Sequence, residues 1–466
     1  MVLGLFLIFI ALVFITYQLF GRDFFAPAVI FCVMYSLSIG CALINYSQWG
    51  LENYSQEAFN IYLFGALLFI LVSYLVKLLV LPDNAYLEVK EYRDRLNINT
   101  GITVLLTIIN LVVLLLWVKN VKAIGGGGSL SQSLEVYRTS TSYSIGSAGM
   151  PGYLQQMSKI TTASGYIYGF ILIYNIVHHT VEKEDYYLCL PNIIIYILFS
   201  LFDSNRLNIL GVIASYVVYY YFMRSSKGNG FKTLIKLTGI FVALLIVFYG
   251  VRLLIGRPSS GQNNFIEYIS MYAGGPVKLF DMFIKNPVPN SGIWGKETFP
   301  SLLKTFRSLG YDIPQYISKK EFRFYNGVNL GNVYSAYRNW LSDFGINGVY
   351  ILQTIFALFY NSYYYLLRKK GYKKHILALI IYGYMAEAIF LHPIDDWLFS
   401  MFVSVGFIIY IIVVYSLYVN LFNVFIYKLY ILYFLLSPLP FFKISFCFQF
   451  GNSLFTFSQV NSSIFS

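Results

Sequence analysis

Charge is scarce in this chain. Asp, Glu, Lys and Arg make up 12% of its 466 residues, against 58% hydrophobic ones. A soluble domain is nearer a quarter charged and half apolar, so the two or three soluble domains that length alone suggests are excluded. Cysteine is nearly absent too. Cys32, Cys41, Cys189 and Cys447 lie in or beside apolar runs; no pair has metal-ligand spacing and no disulfide framework emerges. The chain lacks GxxxxGK[ST], HExxH, paired CxxC and GxSxG, which removes the familiar nucleotide-loop, zinc-protease and hydrolase chemistries. It shows no internal repeat, which counts against a transporter built from duplicated halves. Residues 1–20 have no basic start and no small-residue cleavage site precedes Arg22, so no cleavable signal peptide is expected.

What is present is a series of long apolar runs. A helix of about 20 apolar residues crosses a hydrocarbon core of about 30 Å, and helices satisfy their own backbone polar groups there. The runs do not alternate as barrel strands would. Spans are predicted near 2–20, 25–45, 59–81, 100–118, 160–178, 186–202, 207–223, 233–254, 345–367, 375–392 and 397–419, with a twelfth over 421–437. The expected fold is an all-α integral membrane protein of about 11–12 transmembrane helices with one large folded outer loop. Residues 1–254 form the first eight spans and 345–437 the last three or four. The outer loops are 119–159 and 255–344, and 438–466 is an atypical Ser/Phe-rich tail.

Orientation follows from Lys and Arg in short loops. Lys90, Arg93 and Arg95 follow the third span, Arg224, Lys227, Lys232 and Lys236 the seventh, and Arg368, Lys369, Lys370, Lys373 and Lys374 the ninth. Alternation puts these on one side, the cytoplasmic one. Residues 47–58 and 393–396, acidic or neutral, and the two long loops then lie outside. The net charge of +12 points first to anionic membrane lipids as partners, not to nucleic acid. The segment 255–344 is too long to be an idle connection, and helix-like stretches at 264–284 and 299–309 predict that it folds. GGGG at 125–128 follows no strand and lacks a nucleotide-loop Lys; it reads as a flexible hinge.

Five arginines gather at the outer ends of helices: Arg138 in the first long loop, Arg206 after the turn FDSN, Arg252 and Arg257 in YGVRLLIGRP, and Arg338 in NVYSAYRNW. A guanidinium donates two parallel hydrogen bonds and stays charged, which suits phosphate. The plainer reading is a set of anchors for lipid headgroups. In 327–350, Asn332, Tyr334, Arg338 and Asp343 lead into a span, and Arg338 and Asp343 pair if the chain is helical there; the plainer reading is an interfacial helix with an aromatic belt. Glu387 is an ionisable residue inside a span, a functional candidate by default. His392, Asp395 and Asp396 sit at its outer mouth, where a His or carboxylate serves as a general base or merely as ordinary cap polarity beside Pro393.

This pattern resembles the bacterial oligosaccharide repeat-unit polymerases of the Wzy type, which build O-antigen and capsule chains. The match rests on GGGGSLSQSLEVYR (125–138, with Tyr137 and Arg138), FDSNRLNIL with Arg206, YISMYAGGPVKLFD (268–281, with Tyr272) and GNVYSAYRNWLSDFGINGVY (331–350). It covers about residues 1–420. The resemblance implies a metal-independent glycosyltransferase of the plasma membrane with an outward-facing site. It needs no cofactor, because the donor, a glycan on undecaprenyl diphosphate, is already activated. The nascent chain passes to a sugar hydroxyl of a new lipid-linked unit, and a chain-length regulator and a flippase are the implied companions. Arg138, Arg206, Arg252, Arg257 and Arg338 would stabilise the leaving diphosphate, with Asn332, Tyr334, Tyr272 and Tyr137 binding substrate. Asp343, Glu387, His392 and Glu267 stay open as the base. An O-antigen ligase, a lipid-linked oligosaccharide flippase and a structural scaffold are the competing readings.

Overall fold

The computed structural model describes residues 1–81, 94–143, 149–224, 249–250, 265–289 and 292–422. The side chains of Ser142, Tyr143, Arg206 and Lys374 are outside that description, as are the predicted spans 233–254 (apart from 249–250) and 421–437 (beyond 422), Cys447 and the tail. Among the described residues, seven helices are long and apolar enough to cross a membrane. They are α1 (Val2–Leu19), α3 (Gln56–Val80), α4 (Thr100–Ile124), α6 (Gly152–Val177), α7 (Lys183–Phe202), α11 (Ala336–Lys370) and α13 (Val405–Phe422). Two shorter apolar helices, α2 (Pro27–Leu43) and α12 (Ile376–Leu391), and α8 (Arg206–Arg224) complete the bundle. The protein is a helical, multi-pass membrane protein.

Local chemistry sets the helix starts. Ser55 and Asn99 cap α3 and α4, each side chain accepting from a backbone N–H three residues on. Glu182 and Asp185 form a reciprocal capping box at α7. Exposed Leu7, Phe14, Leu71, Leu79, Leu105, Leu115, Ile408 and Ile412 give the bundle an apolar outer wall suited to lipid. The interior is built by α3 against α11, α6 against α7, and α12 against α8.

The loops sort into two groups at opposite ends of the helices. At one end Arg95 pairs with Asp185 at 3.0 Å, His178 meets the Tyr372 hydroxyl at 3.1 Å, and Asp23 accepts from Tyr221 at 2.6 Å and Tyr364 at 2.5 Å. At the other end Asn45 donates to Ser270, the Ser55 N–H to Asp281, the Trp340 indole to Asp396, and Lys320 pairs with Asp395. This is the grouping that the predicted alternation requires.

Between α8 and α11 the chain forms α9 (Phe265–Lys285), α10 (Pro300–Ser308) and a hairpin of β1 (Arg323–Tyr325) and β2 (Val328–Gly331), paired antiparallel. The two helices agree with the stretches predicted at 264–284 and 299–309. α9 lies against α2.

Two expectations need correction. Residues 119–159 are not an irregular loop with a flexible hinge. α4 continues to Ile124, and Leu130–Tyr143 is a helix, α5, packed back on α4. The glycine run makes the tight reversal between them, with Gly126 and Gly127 at φ 75° and 78°, a conformation that costs other residues steric strain. The span predicted at 397–419 begins later. Leu398–Phe402 is one turn of π-helix, and α13 starts at Val405.

Candidate functional site

Arg338 is the centre of the site. It lies in the first turn of α11, whose segment before Gly345 is set off by a kink where φ is 65°. Its side chain is 1% exposed. A buried guanidinium needs compensation, and two carboxylates provide it: Nη2 donates to Glu321 Oε2 at 2.7 Å and to Glu297 Oε1 at 3.2 Å. The guanidinium carbon stands 4.0 Å from the Tyr334 ring centre and 4.6 Å from that of Phe283, an arrangement favoured by the ring quadrupoles. Nε and Nη1 of Arg338, Oε2 of Glu297 and Oδ1 of Asn339 are buried with no hydrogen-bond partner among the described residues. Buried polar atoms seldom stay unpaired, so this group is poised for a ligand or water.

Neighbouring contacts hold the carboxylates in place. The Tyr334 hydroxyl donates to Glu321 Oε1 at 3.0 Å, and Arg323 Nε to the same oxygen at 2.9 Å. Burial raises the Glu321 carboxyl, but the charge and hydrogen bonds of Arg338, with Arg323, outweigh it and leave the group below its usual range. Ser342 donates to Glu297 Oε1 at 3.2 Å, and Asn339 Nδ2 to the Glu297 carbonyl at 3.1 Å. Asn332 donates to the Lys320 carbonyl at 3.3 Å. The structure therefore brings Arg338, Tyr334 and Asn332 together, as the sequence reading expected.

The expected Arg338–Asp343 pair does not form. Asp343 accepts instead from the Glu297 and Thr298 N–H groups at 2.9 and 2.7 Å. Five positions on one helix point two side chains in different directions, and each finds its own partner from the 297–321 segment. His392 also departs from expectation. It is not at an open mouth but 1% exposed, among the rings of Phe31, Tyr35, Tyr337, Trp340 and Phe356. Its Nδ1 meets the Tyr35 hydroxyl at 2.8 Å, and Nε2 has no partner among the described residues.

Asp203, in the turn before α8, gathers a second polar group. The buried Tyr137 hydroxyl donates to it at 3.4 Å. Burial pushes the Asp203 carboxyl up to about 7, against the opposing effects of that bond and of the Lys319 charge. Arg206 opens α8 three residues later. Arg138 is half-buried beside Tyr137 on α5. Three consecutive residues link the groups: Lys319 acts on Asp203, Lys320 pairs with Asp395 at 2.7 Å, and Glu321 holds Arg338.

Other candidates lie apart. Glu387 is buried inside α12. Tyr272 stands against Tyr268, ring centres 4.8 Å apart, about three turns before Phe283 on α9. Glu267 is exposed. Arg252 and Arg257 fall outside the described residues. Among the described residues no three His, Cys, Asp or Glu side chains converge as metal ligands.

Comparison with protein families, curated proteins and solved structures finds no match to this chain. What the site can do rests on its geometry.

Glu297 and Glu321 were not among the residues singled out from the sequence. They lie 41 and 17 positions before Arg338, and no helical or strand period connects such separations. The run KKEFR at 319–323, charged within a poorly charged chain, was the one available signal.

Proposed function

We propose that this protein is a glycosyltransferase that polymerises lipid-linked oligosaccharide units into a surface polysaccharide. In this reading it transfers the nascent glycan from undecaprenyl diphosphate to a sugar hydroxyl of a new lipid-linked unit. The observation that carries the reading is Arg338: a buried, permanently charged fork with two of its three nitrogens unpaired among the described residues, at a polar end of an apolar bundle. Free guanidinium nitrogens match the oxygens of a diphosphate, and a fixed cation stabilises the charge that grows there as the C1–O bond breaks. Arg138 and Arg206 belong to the same group of loops through Tyr137, Asp203 and Lys319.

Among the carboxylates, Glu297 is the base this arrangement favours. Its Oε2 is unpartnered and adjoins Arg338, whereas Glu321 is held ionised and engaged by two arginines. We place this end outside the plasma membrane. The opposite end carries Lys77, Arg95, Arg224, Arg368, Lys369 and Lys370 at helix ends and short loops, and such residues favour the cytoplasm. In this topology the segment 265–335 is the folded outer loop, and it covers the site.

The test is deletion of the gene in its host, with the surface polysaccharide run on a gel. Single units or short stubs in place of a ladder support the polymerase. Undiminished lipid-linked polymer with no transfer to the core supports a ligase, and an unchanged polysaccharide overturns both. One observation favours transport as a second reading, the buried Glu387 within the bundle, which meets no charged partner among the described residues.

A further inference from the structure

Glu387 lies just over a turn from the end of α12 and is 3% exposed. Its carboxylate accepts no hydrogen bond from the described residues, and no charged group among them offsets it. Its Oε2 rests where α8 has Gly211, and a Cβ there would fall on that oxygen. The Tyr166 hydroxyl stands 3.5 Å from the same point. Among the described residues, the titratable groups that feel the Glu387 charge are all tyrosines: Tyr166 on α6, Tyr196 on α7, Tyr219 on α8, Tyr360 on α11, Tyr384 on α12 and Tyr410 on α13. α2, which also packs on α12, contributes none. Two other carboxylates share a tyrosine neighbour with it, Asp203 through Tyr196 and Asp396 through Tyr360. The Tyr410 hydroxyl is likewise buried without a partner among the described residues.

An isolated carboxylate in an apolar interior is too costly to persist without a positive partner. Among the described residues none is positive, so the carboxylate suits a cation taken up from solution. The surrounding rings pack closely: Tyr166 and Tyr384 have ring centres 4.8 Å apart, Tyr384 and Tyr410 4.4 Å. A single carboxylate matches one positive charge rather than two. Phenol oxygens and the negative faces of the rings add attraction for a cation.

We propose that Glu387 is a binding site for a small monovalent cation, H⁺ or Na⁺, inside the helical bundle, with Gly211 making room for the carboxylate and the Tyr166 hydroxyl beside it. An ionisable group within a span marks ion and proton paths in other membrane proteins. Here the site is separate from Arg338, and it stands whether or not the glycosyltransferase reading holds.

The test is infrared difference spectroscopy on the full chain in lipid nanodiscs, wild type against Glu387→Gln, from pH 5 to 9 in choline chloride or sodium chloride. The expected result is a protonated-carboxyl band present in the wild type and missing from the variant. The ratio of protonated to ionised carboxyl should fall about tenfold per pH unit. A midpoint the same in both salts identifies a proton site. A midpoint lowered by sodium chloride, not by choline chloride, identifies Na⁺ competing for the carboxylate. Spectra of wild type and variant that coincide at every pH and in both salts overturn the proposal. So does a wild-type band that neither pH nor sodium changes, since the group would then exchange no cation.

Discussion

The Trp340 indole N–H donates to Asp396 Oδ2 at 2.8 Å and so joins the start of α11 to the loop after α12. Asp396 also accepts from the Phe399 N–H at 3.1 Å and is 1% exposed. Burial raises its carboxyl to about 7, the two hydrogen bonds opposing. A raised carboxyl pKa means that the folded state holds its proton after the unfolded state has lost it. This group therefore favours folding below the unfolded pKa near 4, and its contribution falls as pH rises through the window from about 4 to about 7. We predict that Asp396→Asn gains stability relative to wild type across that window and is parallel to it above pH 8. Thermal unfolding in detergent at stepped pH checks this; a difference that shrinks as pH rises would contradict it.

Removing the Arg338 guanidinium leaves Glu297 and Glu321 without their shared cation. Arg338→Ala is expected to abolish polymer formation. Loss of one member of a buried ion pair also costs stability, about 3–5 kcal/mol. Arg338→Lys should recover little activity, because a point charge cannot replace the fork or stack in the same way on Tyr334. Complementation of the deleted gene, with membrane insertion checked by blotting, separates lost activity from lost protein. A full ladder from the alanine variant would take Arg338 out of the mechanism.

Glu321 and Glu297 should differ. Glu297→Gln keeps a group that accepts from Arg338 and Ser342 but loses the base, so insertion and melting should be near normal while transfer falls by about 10²-fold or more. Glu321→Gln loses one charge from a group held by two arginines, so its larger effect should be on the melting temperature. Equal transfer rates for wild type and Glu297→Gln would assign the base elsewhere.

At the opposite end, Asp23 accepts from the hydroxyls of Tyr221 and Tyr364, from the Phe25 N–H at 3.0 Å, and faces Arg368 at 3.8 Å. One carboxylate thus joins the α1–α2 loop, α8 and α11. Asp23→Ala should lower stability by about 3–5 kcal/mol, since it strands a largely buried arginine. Tyr221→Phe should cost about 1 kcal/mol. Melting curves of the two variants in one detergent give the comparison, and equal midpoints would mean that this group is not a structural tie.

Gly211→Ala puts a methyl where Glu387 Oε2 lies. The single variant should be destabilised, and Glu387→Ala should relieve much of that loss in the double variant. Additive losses would show that the two residues are not in contact.

Much of the fold was legible from residue type and order alone. Helices α1 to α3, α7 and α8 fall within a few residues of the predicted spans, because the length of an apolar run is itself the condition for crossing a bilayer; α4 runs six residues further than its span and α6 starts eight earlier. The two helices between α8 and α11 match the helix-like stretches at 264–284 and 299–309. The α5 hairpin was not. Its sequence is polar enough to pass for a loop, and its helix is held by packing against α4 and by a glycine reversal. The arginine at the centre of the site was visible because charge is rare here. Its partners were not.

The sequence by itself determined that this is a bundle of membrane helices, which loops share an end, and that Asn332, Tyr334 and Arg338 lie in one polar segment leading into a span. It did so because hydropathy and chain alternation are local properties. Only the tertiary structure decided that Arg338 meets Glu321 and Glu297 rather than Asp343, that His392 is enclosed by aromatic rings, and that Glu387 faces tyrosines without a counter-charge. Those outcomes depend on which helices pack together, and a side chain's partner across a bundle leaves no period in the sequence.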